Sequence, residues 1–160
     1  MIKTCGIEVM STICDKPYTV SDKWTAAFML GILFLLVSSP FTYSLTNTIT
    51  KGAGFAISDT QGCPNLAGLI IHTVIFTLLL RLLLNRDQTN GCLRPYTSRD
   101  KWTVSIIGGL LFILISSPYL YEAVNSLIPV DITISNGCPN IKGLIIHTII
   151  FVVISRFLMR

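Results

Sequence analysis

The sequence predicts an all-α integral membrane protein of four transmembrane helices, arranged as two parallel-repeat helical hairpins. Three observations carry that prediction: long uncharged windows, an internal duplication, and a one-sided distribution of basic residues. Charged residues make up 12% of the 160-residue chain, against about 25% in a typical soluble domain. Hydrophobic residues make up 51%, and the mean hydropathy is +0.68. The charges cluster, leaving uncharged windows at 25–50, 60–80, 102–121 and 143–155. A hydrocarbon core about 30 Å thick needs roughly 20 apolar residues as helix. The first three windows reach that length. Lys142 and Arg156 flank the fourth, and their stems can snorkel to the headgroups. A soluble four-helix bundle would give each helix a polar stripe, and these windows carry none.

The duplication fixes the order of the elements. Cys14-Asp15-Lys16-Pro17-Tyr18-Thr19 returns as Cys92-Leu93-Arg94-Pro95-Tyr96-Thr97, and Asp22-Lys23-Trp24-Thr25 as Asp100-Lys101-Trp102-Thr103. Ser38-Ser39-Pro40 returns as Ser116-Ser117-Pro118 at the same offset of 78. Gly62-Cys63-Pro64-Asn65 and Gly68-Leu69-Ile70-Ile71-His72-Thr73 return at an offset of 75, from Gly137 and Gly143, so the second copy is three residues shorter between its helices. Two units are too few for a solenoid. The chain therefore divides into an N-terminal arm (1–13), a first hairpin (14–86, spans near 25–46 and 65–84) and a second (87–160, spans near 102–123 and 141–159). With two spans per unit, both copies enter the membrane in the same direction. Many secondary transporters use inverted repeats instead.

Topology follows from charge. Lys3, Lys16, Lys23, Arg81, Arg86, Arg94, Arg99, Lys101, Arg156 and Arg160 fall at the termini, in the central loop or at the helix ends facing them, and only Lys51 and Lys142 fall opposite. That bias puts both termini and the central loop in the cytosol and the two Gly-Cys-Pro-Asn loops on the lumenal or exterior side. Residues 1–20 lack the continuous apolar stretch of a cleavable signal, so the first helix is expected to direct its own insertion. Trp24 and Tyr43, like Trp102 and Tyr121, are 19 residues apart, roughly 28 Å of helix. Each pair is expected to anchor one helix at both headgroup layers. Asp22 and Asp100 are expected just before these helices as caps.

His72 and His147 are the only histidines, and each sits mid-span, where a polar side chain is costly. Counted from the loop, His72 lies roughly 12 Å deep and Leu36 about 16 Å deep. Pro40 has no N–H, so the Leu36 carbonyl loses its helical donor. The expectation is a structural bond from His72 to the Ser39–Pro40 kink, repeated by His147 with the Leu114 carbonyl at Ser117–Pro118. A proton relay or gate is the competing reading. Gly68, His72 and Phe76 share one helix face, as do Gly143, His147 and Phe151. Gly31 and Gly109 lie about two turns before the serines, and small residues of this kind let helices approach closely in lipid. Packing inside each hairpin, Gly31 on Gly68 and Gly109 on Gly143, is the expected use. Gly62-Cys63-Pro64-Asn65 reads as a turn entering a helix, with proline in its first turn and asparagine as cap. Cys63 and Cys138 share one membrane side, and a disulfide between them is an option if that side is oxidising.

Catalytic chemistry finds no residues to use. There is no Cys-x-x-Cys, His-Glu-x-x-His, phosphate loop, Gly-x-Ser-x-Gly or potassium-filter sequence, and the one carboxylate within the span bounds, Glu122, follows Tyr121 at a helix end. Cys63 and His72 are roughly 13 Å apart along a helix, too far for one zinc ion, whose ligands lie within about 2.3 Å. No enzyme activity, metal, cofactor or nucleic-acid partner is expected.

The wording Asp-Lys-Trp-Thr, an apolar run, Ser-Ser-Pro-Phe/Tyr, Asn-Ser/Thr, Gly-Cys-Pro-Asn and Gly-Leu-Ile-Ile-His-Thr resembles small hydrophobic proteins of algal and amoebal large DNA viruses, of the phycodnavirus and mimivirus type. Many of those carry a single hairpin, and this chain resembles a fused pair over 16–86 and 94–160. The resemblance implies a component of the membrane beneath an icosahedral capsid, or of the host endomembrane from which that membrane is made. Its partners would be the bilayer, further copies of itself, or other viral membrane and capsid proteins. The expected role is structural, packing or shaping the bilayer, with docking of the capsid as an option. The alternative is a small proton or ion channel, or a transporter-like protein, using His72 and His147. A host-membrane modulator that binds another membrane protein is a third.

Overall fold

The computed structural model describes residues 19–86, 97–134 and 137–159. Within them lie six helices: α1 (Val20–Val37), α2 (Pro40–Gly52), α3 (Leu66–Arg86), α4 (Ser98–Ile115), α5 (Pro118–Leu127) and α6 (Ile141–Leu158). The N-terminal arm, Cys14, Cys92 and most of the central loop lie outside the described residues. Val20–Val37, Leu66–Asn85 and Ile141–Leu158 are long and apolar enough to cross a membrane. A fourth is added if α4 and α5, bent by 58° between them, count as one span. Large apolar side chains cover the outer faces at helical spacing: Phe28, Ile32 and Leu36 on α1; Ile70, Val74 and Leu78 on α3; Ile145 and Ile149 on α6. A soluble protein would bury such rows, whereas lipid accepts them.

The spans expected at 25–46 and 102–123 are each broken in two, at Ser38–Ser39 and Ser116–Ser117. In each break the first serine closes one helix and the second opens the next. Ser38 Oγ donates back to the Phe34 carbonyl and Ser116 Oγ to the Phe112 carbonyl, both at 2.6 Å. Ser39 Oγ accepts the Thr42 N–H at 3.2 Å, and Ser117 Oγ the Leu120 N–H at 3.3 Å. Pro40 and Pro118 then occupy the first helical position, where a missing N–H costs nothing. The other ends of α1 and α4 carry capping boxes. Asp22 and Asp100 are the third helical residues of these boxes, and Thr19 and Thr97 are the caps. The carboxylates therefore sit inside the first turn and not before it.

Helix pairing corrects a second expectation. α1 packs along α6 and α3 along α4, while α1 on α3 and α4 on α6 are slighter contacts. A side chain at Gly31 would run into Val152, and one at Gly109 into Thr77. The glycine faces thus serve contacts between the copies. Gly68 and Gly143 instead admit the carbonyls of Ile57 and Ile132 from the loops above them. Two stacks of cation on aromatic ring follow the same pairing, with Arg81 at 5.4 Å from the Trp102 ring and Arg156 at 5.5 Å from the Trp24 ring.

Candidate functional site

Each helix break releases carbonyls, and a histidine takes one of them. His72 Nδ1 lies 2.8 Å from the Val37 carbonyl, and His147 Nδ1 lies 2.8 Å from the Ile115 carbonyl. A carbonyl only accepts, so Nδ1 carries the proton in both rings. The partner is one residue beyond the expected Leu36 and Leu114. The reason is local: Leu36 O already accepts from Ser39 Oγ at 3.2 Å and from Thr42 Oγ1, and Leu114 O accepts the Ser117 N–H at 3.4 Å. The two histidines differ at their other nitrogen. His72 Nε2 is 3.2 Å from Thr46 Oγ1, whose single proton also has the Thr42 carbonyl within 2.8 Å. Val124 stands at the corresponding place in the second copy, and His147 Nε2 is buried without a hydrogen-bond partner.

Tyr43 and Tyr121 are part of this site and not of the headgroup belt. Both are 1% exposed. Tyr43 stacks on His72 with ring centroids 3.8 Å apart, and Tyr121 on His147 at 3.6 Å. Their spacing from Trp24 and Trp102 suits a straight helix, but the break turns them inward. Trp24 and Trp102 remain exposed at the far end.

The loops fold down over the breaks. Asn47 Oδ1 accepts the Ile57 N–H at 2.9 Å and its Nδ2 donates to the Ser58 carbonyl at 3.0 Å. Asn125 Oδ1 accepts the Ile132 N–H at 2.8 Å. Isolated antiparallel bridges pair Ser58 with Pro64 and Thr133 with Pro139. Asn65 and Asn140 do cap α3 and α6, accepting the Gly68 and Gly143 N–H groups at 2.9 Å. Pro64 and Pro139 precede these caps, since they belong to the bridges and not to the first helical turns. Gly62 and Gly137 adopt positive φ of 82° and 73°, and any side chain there would strike the carbonyl of Pro40 or Pro118.

A disulfide joins Cys63 to Cys138 across the two loops, with Cα atoms 5.4 Å apart. Beneath it is a cavity of about 30 Å³ lined by corresponding residues of both copies, among them Ser38, Tyr43, Ser116 and Tyr121. That volume suits a water molecule or two and nothing larger. The two tyrosine hydroxyls are buried without a hydrogen-bond partner.

One turn further from the loops, the interior is closed by four phenylalanines. Phe34 stacks on Phe151 at 4.6 Å and Phe76 on Phe112 at 4.7 Å. Edge contacts at 5.5 Å (Phe34–Phe112) and 5.7 Å (Phe76–Phe151) complete the ring of rings. Sequence reasoning placed Phe76 and Phe151 on the histidine faces but gave Phe34 and Phe112 no role. The available signal was that both recur at the offset of 78, four residues before the first serine of each break. Among the described residues no group of His, Cys, Asp and Glu could hold a metal ion.

With this geometry in view, the chain was compared with known proteins: no protein-family model, curated protein or solved structure matches it.

The histidine bond has a measurable weight. His147→Leu should lower stability in mixed micelles by about 0.6–2 kcal/mol, the range for one hydrogen bond between membrane helices, because the Ile115 carbonyl loses its donor. His147→Asn keeps an N–H and should lose less. Equal and negligible losses from both, read from the unfolding midpoint in an SDS titration, would show that the bond does not support the fold.

Proposed function

We propose that this chain is a structural protein of a membrane, a four-span brace whose two halves are locked together by a disulfide. The observation that carries this reading is the closed interior. Four phenylalanine rings fill the middle of the bundle and separate the histidine layer above them from the buried Ser105, Ser155 and Lys101 towards the other end. Among the described residues, the polar groups thus form no continuous lining from one side to the other. In this reading each broken pair, α1–α2 and α4–α5, acts as one span. The two sequence copies enter the bilayer in the same direction, with the basic termini and central loop cytosolic. A disulfide on the opposite, oxidising side is in keeping with that orientation. The motif resemblance supports the setting, the internal membrane of a large DNA virus or the host endomembrane that supplies it. There the protein packs or shapes the bilayer, and its basic face offers a surface to a capsid layer.

The second reading is a proton or ion channel. It is favoured by the Tyr43 and Tyr121 hydroxyls, buried and unpartnered beside the cavity, and by the buried, unpartnered His147 Nε2. Liposomes separate the two. The brace should give no pH-dependent proton or cation leak above that of empty vesicles. A leak that changes with pH and disappears in the His72→Ala/His147→Ala double variant would overturn the structural reading in favour of the channel. Quantitative mass spectrometry of purified particles tests the setting: the protein should be abundant there, and its absence would sink the virion assignment.

A further inference from the structure

At the end of the bundle remote from the disulfide, two cations converge on one neutral oxygen. Lys101 is only 5% exposed, and its Nζ donates to Asn85 Oδ1 at 3.1 Å. Arg81 Nη1 donates to the same oxygen, and Nη2 reaches Ser98 Oγ at 3.4 Å. Arg81 Nε is buried without a hydrogen-bond partner. The guanidinium lies over the Trp102 ring, which fixes its plane. An amide oxygen, a hydroxyl and an indole face are all neutral, so among the described residues the contacts that position the two charges do not balance them. Close like charges in a partly buried site repel each other strongly, and an anion between them relieves that repulsion.

We propose that Arg81 and Lys101 bind the phosphate of an anionic phospholipid at the junction of α3 and α4. The planar guanidinium fork and the ammonium point charge are the two groups that proteins use on phosphate oxygens. Trp102 marks the headgroup layer, where an indole is favoured. The exposed Trp102 and Ile106 lie one helical turn apart on the same face of α4, giving an acyl chain an apolar track beside the charges. Arg99 lies in the first turn of the same helix, and Asp100 has its carboxylate engaged in the capping box. An amphipathic anion fits this combination better than a soluble one. The Arg156–Trp24 stack repeats part of the arrangement on α6 and α1, without a described counterpart of the Lys101–Asn85 bond.

This inference rests on the membrane reading above, and the test keeps the two apart. Full-length protein, oxidised and purified in detergent, would be offered equal amounts of phosphatidylglycerol and phosphatidylcholine with identical acyl chains and examined by native mass spectrometry. Phosphatidylglycerol adducts should exceed phosphatidylcholine adducts roughly tenfold or more, the scale set by two basic groups at an anionic surface. Arg81→Gln and Lys101→Gln should each pull the ratio towards one, while Lys101→Arg should preserve it, with circular dichroism reporting that each variant is folded. A ratio near one in the wild type, or one that folded Lys101→Gln leaves unchanged, overturns the site. Millimolar inorganic phosphate should not displace the lipid; displacement would make the ligand a soluble anion and overturn the lipid assignment. Flotation with pure phosphatidylcholine liposomes checks insertion separately. Failure to float sinks the membrane reading itself, whereas insertion without headgroup preference sinks only the site.

Discussion

Serine at Cys63 or Cys138 should lower the stability of the folded bundle by about 3–4 kcal/mol. The two cysteines are 75 residues apart, and the loop-closure model gives about 4.5 kcal/mol, just above that range, for a loop of this length. The lower end allows for spans that stay inserted when their packing is lost, since an inserted chain has less freedom to recover than one in water. The loops themselves should stay folded, because the Asn47 and Asn125 clamps and the caps at Asn65 and Asn140 act within each copy. The loss should therefore appear as a lower SDS-unfolding midpoint with an unchanged helical spectrum, and dithiothreitol should reproduce it in the wild type. Equal midpoints with and without reductant would show that the disulfide does not brace the bundle.

Phe112→Ala should come next in size, at about 2–3 kcal/mol. In a water-soluble core the same change costs about 3–5 kcal/mol, part of it from transferring the ring out of water. A bilayer removes most of that part, because a ring exposed to lipid tails loses little. What remains is the cavity and the lost stacking with Phe76 and edge contact with Phe34. Phe112→Leu should fall between alanine and wild type. A loss below about 0.5 kcal/mol in the same SDS titration would mean that the phenylalanine cluster fills space without holding the helices.

Much of this arrangement was legible in the chain. Pro40 and Pro118 announced the breaks, since a residue without an N–H interrupts a helix when it falls in the interior of a long apolar run, and the matching depths of His72 and the kink announced their meeting. The carbonyl that His72 takes was misread by one residue. A count of lost helical donors overlooks hydroxyls, and those of Ser39 and Thr42 reach Leu36 first. Tyr43 and Tyr121 were misplaced for a related reason. Spacing along an ideal straight helix reports distance, but beyond a bend it no longer reports which way a side chain faces.

The partners of Gly31 and Gly109 were not legible at all. With two near-identical copies, a small-residue face on one helix fits the corresponding helix of either copy. The choice was made by side chains the faces do not reveal, Val152 and Thr148 against Gly31 and Thr73 and Thr77 against Gly109. The phenylalanine layer depends on the same choice, since its stacked pairs, Phe34–Phe151 and Phe76–Phe112, each join the two copies.

The pairing of α1 with α6 also sets a timetable for biogenesis. α3 and α4 are neighbours in sequence, so they can close on each other soon after both have entered the bilayer. α1, by contrast, precedes its partner α6 by roughly 100 residues. At ribosomal speeds of about 5–20 residues per second, the face carrying Gly31 and Phe34 waits on the order of 5–20 s in contact with lipid or an insertion factor. In the four-span reading α1 completes its packing only once α6 has been made, and Cys63 meets Cys138 only when the second loop has crossed. Formation of that bond therefore reports that the loop carrying Cys138 has reached the side of Cys63, and a nascent chain arrested before Cys138 would keep Cys63 as a free thiol.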